Sequence, residues 1–289
     1  MNRRSSVKLI GALGLTLLLP VRMLGMVINE GCEACAAAWR NLSKFNATRY
    51  PFRYIEPTNG LPKVFLYGDS ISIGYTEYVR ATFEGKADVM RLHVNGSSSD
   101  QVILRMETFR KALFQPFLKE GWTFSWDVIH FNVGLHDLKY VYNGKLDKEK
   151  GKQVSTLKVY EDNLRNTITY LKETYPKAKL IFATTTPVPE GEEGRVHGDA
   201  NKYNEVALTV MKSHPDIVIN DLYTYAIPVQ KEFADGPGNV HYTAEGYRLL
   251  GIEVANSIGN VLDIKPKECP SVEAITAKFN AYETKNKSE

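Results

Sequence analysis

Residues 64–74 read VFLYGDSISIG, an apolar run followed by Gly68-Asp69-Ser70 and then by a segment with helical character. The apolar start predicts a short buried strand, and the residues after the serine predict a helix. A serine at the tip of a strand-to-helix turn is rigidly placed, and the first N–H groups of the helix point at whatever binds its hydroxyl. The pattern therefore favours Ser70 as a nucleophile over Ser70 as a core residue.

Four more short runs, rich in β-branched and aromatic residues, predict strands at Val89–Val94, Asp127–Val133, Leu180–Thr184 and Ile217–Ile219. Between the runs, apolar residues recur every three or four positions, as they do at Tyr160, Leu164, Ile168 and Leu171. This alternation predicts an α/β fold with a five-stranded parallel sheet covered by helices on both faces. Because no repeat or linker divides it, residues 39–289 are interpreted as a single domain with a core at about residues 60–265.

The chain begins with a basic, polar segment at residues 2–8, and an apolar run follows from Leu9 to Leu19. This order is typical of a secretory signal, so residues 1–38 are predicted to be an export segment with a processing region. The protein is accordingly expected to be periplasmic or secreted. Arg22 interrupts the apolar stretch, which leaves two alternatives, an uncleaved N-terminal membrane anchor and a cytoplasmic start.

Composition argues against several kinds of partner. A net charge of +3 over 289 residues, without a basic stripe, argues against binding to nucleic acid. Cys32 and Cys35 alone cannot close a zinc site, and they are interpreted as a local disulfide or as two idle thiols. No set of histidine, cysteine and carboxylate residues has metal-ligand spacing, so neither a metal nor a cofactor is predicted. No feature implies an obligate protein partner.

Small and polar residues follow the predicted strands. Ligands bind at the carboxyl ends of the strands in an open parallel sheet, so the segments that leave those ends are the candidates for a binding site. They are Gly68–Ser70, Asn95–Ser99, Asn132–Asp137 and Thr184–Pro187, and Gly238–Thr243 precedes the last predicted core helix. Together they predict a pocket for a small polar ligand at this edge of the sheet.

These segments resemble the conserved blocks of one superfamily. Gly68-Asp69-Ser70-Ile71-Ser72 resembles the first block of the GDSL/SGNH hydrolases, Gly96 resembles the second-block glycine, and His241 resembles the last-block histidine. Residues 134–137, Gly-Leu-His-Asp, resemble a bacterial variant of the third block. The resemblance implies a flavodoxin-like, three-layer α/β/α fold and hydrolysis of an ester, often an acetyl ester on a carbohydrate.

The resemblance also implies roles for individual residues. Ser70 would be the nucleophile and His241 its general base, since a serine hydroxyl needs an adjacent base at neutral pH. The backbone N–H groups of Ser70 and Gly96 would stabilise the oxyanion. The third donor of the family is an asparagine side chain, and here His136 stands in its place, with Asn132 as the alternative donor.

The group that orients His241 departs from the family pattern. The family places an aspartate three residues before its last histidine, and this chain has Gly238 there. Asp235, Asn239 and a main-chain carbonyl are the alternatives, and we favour Asp235 because the turn at residues 236–238 is flexible enough to bring its carboxylate in. Two long segments at the same edge, residues 139–156 and 187–199, are predicted to shape specificity.

The leading hypothesis is an exported serine esterase that hydrolyses a small acyl ester, such as an O-acetyl group on a carbohydrate. An acyltransferase that uses the same Ser70 and His241 is the first alternative, with a sugar hydroxyl in place of water. A non-catalytic carbohydrate-binding descendant is the second, because the aspartate and the asparagine of the family pattern are both replaced.

Overall fold

The computed structural model describes residues 32–287, so most of the predicted export segment lies outside the described part of the chain. The described helices are α1 Glu33–Ser43, α2 Ser70–Thr82, α3 Val102–Leu113, α4 Leu157–Thr174, α5 Asp199–Lys212, α6 Leu222–Phe233, α7 Ala244–Leu262 and α8 Val272–Lys287. The described strands are β1 Lys63–Tyr67, β2 Asp88–Arg91, β3 Val128–Asn132, β4 Tyr140–Tyr142, β5 Lys145–Leu146, β6 Lys152–Gln153, β7 Lys179–Ala183 and β8 Val218–Asn220.

Five strands form one parallel sheet in the order β2-β1-β3-β7-β8. All five lie within a few residues of the predicted runs, and the predicted α/β fold is confirmed. The apolar residues of β1, β2, β3 and β7 are buried, whereas Val218 and Ile219 of the edge strand β8 are exposed. Helices cover the sheet in two groups, because α7 contacts α2, α6 and α8, while α3 contacts α1 and α4, and α4 contacts α5. The molecule therefore has three layers, α/β/α, and the carboxyl ends of its strands share one edge.

Close packing of α2 on α7 joins the two ends of the site. Gly251 of α7 is buried against α2, and a Cβ at this position would lie 2.7 Å from the Cβ of Tyr78. On α2, Gly74 packs against the ring of Tyr247, which a Cβ at Gly74 would overlap. Since α2 begins at Ser70 and α7 begins just after His241, this contact controls how far apart the two residues lie.

Residues 139–156, one of the two segments predicted to shape specificity, contain a small antiparallel sheet in the order β5-β4-β6. Its strands have only two or three residues, and most of their side chains are exposed. Strands this short leave no alternation of apolar and polar residues, which is why the pattern of the sequence did not reveal them.

The two ends of the described chain pack together. Helix α1 and the short 3-10 helices at Lys44–Thr48 and Tyr50–Phe52 precede β1. Cys32 and Cys35 form a disulfide at the start of α1, which was one of the two alternatives. Helix α8 returns to this region, where the Tyr282 hydroxyl donates to the carbonyl of Ala47 at 2.9 Å. None of the described helices has the length and apolar character needed to cross a membrane.

We predict that Gly251→Ala lowers the free energy of unfolding by about 1 kcal/mol. The added methyl group overpacks the contact between α2 and α7, which costs about 1–3 kcal/mol, and the higher helix propensity of alanine offsets about 1 kcal/mol of that cost. Urea unfolding followed by circular dichroism measures the change. The control is Asn256→Ala, an exposed position on the same helix, which should change stability by less than about 0.5 kcal/mol. Equal or greater stability of Gly251→Ala would contradict the packing argument.

Candidate active site

Ser70 is the first residue of α2, directly after the turn that leaves β1. Asp69 caps the helix, because its Oδ1 accepts the N–H of Ile71 at 2.9 Å. The Asp69 carboxyl is buried, and burial raises its pKa to about 6. Asp69 therefore shapes the turn, while the N–H of Ser70 belongs to the first helical turn, where it has no intrahelical acceptor.

His241 lies on the turn between α6 and α7, within hydrogen-bonding distance of Ser70. The His241 Nε2 and the Ser70 Oγ are 2.9 Å apart. The main chain of this turn is paired, because the N–H of Asp235 donates to the carbonyl of His241 at 2.9 Å. Thr243 then caps α7 with its side chain. The structure thus brings together the predicted nucleophile and base, which are 171 residues apart in sequence.

Asn239 occupies the position next to the other ring nitrogen of His241. Its Oδ1 lies 2.9 Å from His241 Nδ1 and also accepts the backbone N–H of His241 at 3.0 Å. Its Nδ2 donates to the carbonyl of Asp235 at 2.8 Å, which fixes the orientation of the amide. Because an amide oxygen only accepts, Nδ1 must carry the proton, and Nε2 is left to accept from the Ser70 hydroxyl.

The preference for Asp235 as the group that orients His241 was wrong. The flexible turn at residues 236–238 does not bring its carboxylate to the ring, because the main chain of Asp235 is held by His241 and Asn239. Asp235 acts on His241 only through its charge, which opposes a lowering of the His241 pKa. Burial is the main cause of that lowering, and the nearby Arg195 adds to it.

Gly96 holds residues 95–99, here called the second loop, against the Ser70 turn, and it does not offer its N–H to a substrate. Its N–H donates to the carbonyl of Gly68 at 2.8 Å, and a Cβ at Gly96 would lie 2.6 Å from that oxygen. The prediction that the N–H of Gly96 faces an oxyanion is therefore wrong. The second loop approaches so closely that its glycine is required for main-chain contact.

The next residues of the second loop contain a free backbone donor. The N–H of Ser97 donates to Asn95 Oδ1 at 2.9 Å, and the N–H of Ser99 donates to Asp137 Oδ2 at 3.0 Å. Within the described chain, no acceptor contacts the N–H of Ser98, although Ser98 is buried. Sequence reasoning missed this residue, because the difference between the N–H groups of Gly96 and Ser98 depends only on which acceptors the fold places near them.

Asn132 is not available as the third donor. Its Nδ2 donates to the carbonyls of Ala183 and Thr184, at 2.9 and 3.0 Å. Both amide hydrogens are therefore used to join the ends of β3 and β7. This pairing leaves His136 as the remaining candidate from the third block.

His136 is held in one protonation state by its neighbours. Lys139 Nζ lies 3.1 Å from His136 Nδ1, and because an ammonium group only donates, Nδ1 must accept. Burial, together with the positive charges of Lys139, Arg195 and Arg105, lowers the pKa of His136 to about 3. His136 is therefore a neutral imidazole whose Nε2 carries the proton, so this nitrogen is a donor.

Of the two segments predicted to shape specificity, residues 187–199 contact the loops that carry His136 and His241. In residues 187–199, Arg195 pairs with Glu192 and donates from Nε to the carbonyl of Leu135 at 2.8 Å. A Cβ at Gly238 would lie 2.7 Å from the carbonyl oxygen of Gly191, so the same segment packs against the turn of His241. Neither this segment nor residues 139–156 lines the cavity that contains Ser70.

A cavity of about 800 Å³ contains Ser70 and His241. Its walls come from residues 46–52, from α2 and α7, and from α8, which lie far apart in sequence. Representative lining residues are Arg49, Phe52, Tyr78, Tyr247, Ile275 and Phe279. The walls formed by residues 46–52 and by α8, here called the outer walls, were not predicted from the sequence. The spacing of Ile275 and Phe279 by four residues does indicate a packed helix face. Across residues 32–287, no group of three histidine, cysteine or acidic side chains is arranged to hold a metal ion.

Comparison with known structures supports the fold. The structure of the acetylxylan esterase from Geobacillus stearothermophilus superposes with a TM-score of 0.52 and 20% sequence identity. The superposition covers 68% of this chain and 94% of the esterase. The structure of the lipase/acylhydrolase from Enterococcus faecalis superposes with a TM-score of 0.51 and 21% sequence identity, and the superposition covers 72% of this chain and 100% of that protein. At these identities the similarity shows the fold alone. No curated protein matches the chain.

Family membership rests on the sequence itself. The sequence model of the GDSL-like lipase/acylhydrolase family matches residues 66–249. This range includes Ser70, the segments 95–99 and 132–137, and His241. This match covers more than half of the chain, and it agrees with the α/β/α fold and with the meeting of Ser70 and His241 at one edge of the sheet. The chain therefore belongs to the GDSL-like lipase/acylhydrolase family, whose members are hydrolases that act on ester bonds.

Proposed function

We propose that this protein is a serine esterase that removes a small acyl group, such as an acetyl group, from a carbohydrate. The observation that carries the proposal is the aligned series Ser70 Oγ, His241 Nε2, His241 Nδ1 and Asn239 Oδ1, in which both hydrogen bonds measure 2.9 Å. A nucleophile, a base and a third group that orients the base form the arrangement typical of nucleophilic catalysis. Asparagine takes the third position in some enzymes of this kind.

In the proposed reaction, Ser70 Oγ attacks the ester carbonyl carbon while His241 Nε2 takes the hydroxyl proton. The C–O bond to the alcohol then breaks, and the proton passes from Nε2 to the departing alcohol oxygen. Water attacks the acyl-serine in a second half-reaction, again with His241 as the base, and the acid is released. Asn239 Oδ1 accepts a hydrogen bond from the Nδ1–H of the imidazolium but supplies no negative charge, so it orients the ring more than it stabilises its charge.

The oxyanion of each tetrahedral intermediate would be stabilised by three donors. They are the N–H of Ser70 at the start of α2, the N–H of Ser98, and Nε2 of the neutral His136. A donor of this kind typically contributes about 3–4 kcal/mol to transition-state stabilisation. Lys139 supports this role, because its ammonium group at Nδ1 keeps the proton of His136 on Nε2.

Two observations support a carbohydrate ester as the substrate. Solved structures of similar fold include acetylxylan esterases, one of them from Geobacillus stearothermophilus. The cavity at Ser70 also combines aromatic rings, such as those of Tyr78 and Phe279, with the side-chain amides of Asn46 and Asn280. Apolar walls with a few placed polar groups suit small ligands that carry several hydroxyl groups.

We predict that Ser70→Ala lowers kcat for 4-nitrophenyl acetate by about 10⁴-fold or more, because the acyl-enzyme can no longer form. The release of 4-nitrophenolate measures the rate, and mass spectrometry after incubation with a fluorophosphonate shows whether Ser70 is labelled. The control is Ser213→Ala, an exposed serine after α5, which should behave as the wild type. A wild-type protein that neither releases nitrophenolate nor becomes labelled would contradict the proposal and favour a non-catalytic binding protein.

We predict that Asn239→Ala lowers kcat by about 10- to 100-fold, because the His241 ring loses the acceptor that fixes its orientation. Asn239→Asp should keep the acceptor and retain more activity than Asn239→Ala. Its carboxylate should also raise the pKa of His241, so the acid limb of the pH profile should move to higher pH. Stopped assays from pH 4 to 8 test both variants. Equal activity of Asn239→Ala and the wild type would show that another group orients the ring.

We predict that kcat/KM of the wild type rises with pH along a limb centred below 6.5. The base must be neutral, and burial holds the pKa of His241 below its ordinary value. Because the charge of Asp235 opposes this lowering, Asp235→Asn should move the limb to still lower pH. Asp162→Asn, an exposed position on α4, should leave the limb unchanged. A shift to higher pH in Asp235→Asn would contradict the electrostatic argument.

A further inference from the structure

The cavity at Ser70 is much larger than a small acyl group requires. It measures about 800 Å³, and an acetyl group fills only a small part of that volume. If the acyl group is small, as in the function proposed above, the remaining space takes the alcohol part of the ester. The chemistry of the cavity wall should therefore indicate what this alcohol carries.

Pro51 and Phe52 line one wall of the cavity, and four arginines contact residues 50–52. The guanidinium carbons of Arg49 and Arg91 lie 5.2 and 4.4 Å from the centre of the Phe52 ring. On the neighbouring residues, the guanidinium of Arg53 lies 4.1 Å from the centre of the Tyr50 ring, and Arg80 Nη1 donates to the carbonyl of Pro51 at 3.0 Å.

Positive charge at this wall exceeds negative charge. Glu77 forms ion pairs with both Arg53 and Arg80. The fully buried Arg91 instead donates to the Ser72 and Thr76 hydroxyls and to a backbone carbonyl. In the described structure, neither Arg91 nor Arg49 forms an ion pair with a carboxylate. Residues 50–52 are therefore surrounded by more positive than negative charge, and of the four arginines Arg49 is the one that is exposed and lines the cavity.

The other residues that line the cavity carry little negative charge that could compete with a ligand for Arg49. Asp235 is the one carboxylate among the described residues that line the cavity, and it lies at the catalytic end, on the turn of His241. Asn46, Asn95 and Asn280 line the cavity as well and can donate from neutral amides. A guanidinium group with no acidic partner, next to amide donors, is suited to binding a carboxylate or a phosphate.

We propose that the cavity selects esters whose alcohol part carries an anionic group, such as an acylated sugar acid, and that Arg49 binds this group. Arg49 is a binding residue for the alcohol and takes no part in the acyl transfer. The cation–π contact with Phe52 holds its guanidinium at the wall. The proposal rests on the esterase function proposed above, and it adds the charge of the substrate and the place where that charge is recognised.

The test compares matched charged and neutral esters. One pair, 4-acetoxybenzoate and its methyl ester, differs in charge on the alcohol. The other pair, mono-4-nitrophenyl glutarate and its methyl ester, differs in charge on the acyl group. The quantity measured is the ratio of kcat/KM for the charged ester to kcat/KM for its neutral partner, so that general damage to the enzyme cancels.

Arg49→Gln should lower the ratio for the acetoxybenzoate pair about tenfold, because a charged hydrogen bond is lost. Arg49→Lys, which keeps the charge, should restore most of the ratio. The control is Arg40→Gln, an exposed arginine on α1 that does not line the cavity, and it should leave the ratio as in the wild type. Added salt should lower the wild-type ratio and leave that of Arg49→Gln nearly constant.

Three results would overturn the proposal. They are an unchanged ratio in Arg49→Gln, an equal fall in Arg40→Gln, and a response confined to the glutarate pair, which would place the charge on the acyl group. If the wild type hydrolyses none of the four esters, the esterase function fails separately. Calorimetric titration of 4-acetoxybenzoate into Ser70→Ala then tests the cavity alone. Binding about tenfold weaker in Ser70→Ala with Arg49→Gln would support the anionic site, and equal binding would exclude it.

Discussion

The contact between α2 and α7 is the constraint on which the site depends. The nucleophile begins one of these helices and the base precedes the other, so the distance between them is set by how closely the helices approach. Glycines at the contact, Gly74 and Gly251, let the backbones come close enough for a hydrogen bond between Ser70 and His241. The chemistry of the site is therefore a consequence of helix packing as well as of the residues themselves.

The sequence predicted those parts of the structure that depend on long or strongly patterned signals. The five strands and their alternation with helices follow from apolar patterning, and the position of Ser70 follows from the rule for strand ends. His241, which follows a helix, was identified by its resemblance to the last block of the family. The errors at the site concern hydrogen-bond partners that tertiary contacts and turn geometry supply. Gly96 and Asn132 have suitable groups, but neighbouring carbonyls already accept from them. Asn239 holds the base because the turn pairs the main chain of Asp235, which no sequence spacing reveals.

The cavity could not be predicted for a different reason. Its outer walls are formed by residues 46–52 and by α8. The first segment precedes the core in sequence and the second follows it, and they meet only through tertiary contacts. The signals in each segment are weak when taken alone, since a short 3-10 helix and a mostly polar helix at the chain end are ordinary features. Only when Phe279 packs on Tyr50, with ring centres 5.1 Å apart, do the two segments enclose a volume.

The position of these walls has a consequence for how the protein can change during evolution. Arg49, Phe52, Ile275 and Phe279 all lie outside the residues shared with the family, 66–249. If the proposed recognition of the alcohol holds, mutations, insertions or exchanges at these two walls can alter which alcohol is accepted while Ser70 and His241 are inherited unchanged. Part of substrate choice would then lie in stretches of the gene separate from those for catalysis, so that it can diverge while selection preserves bond cleavage.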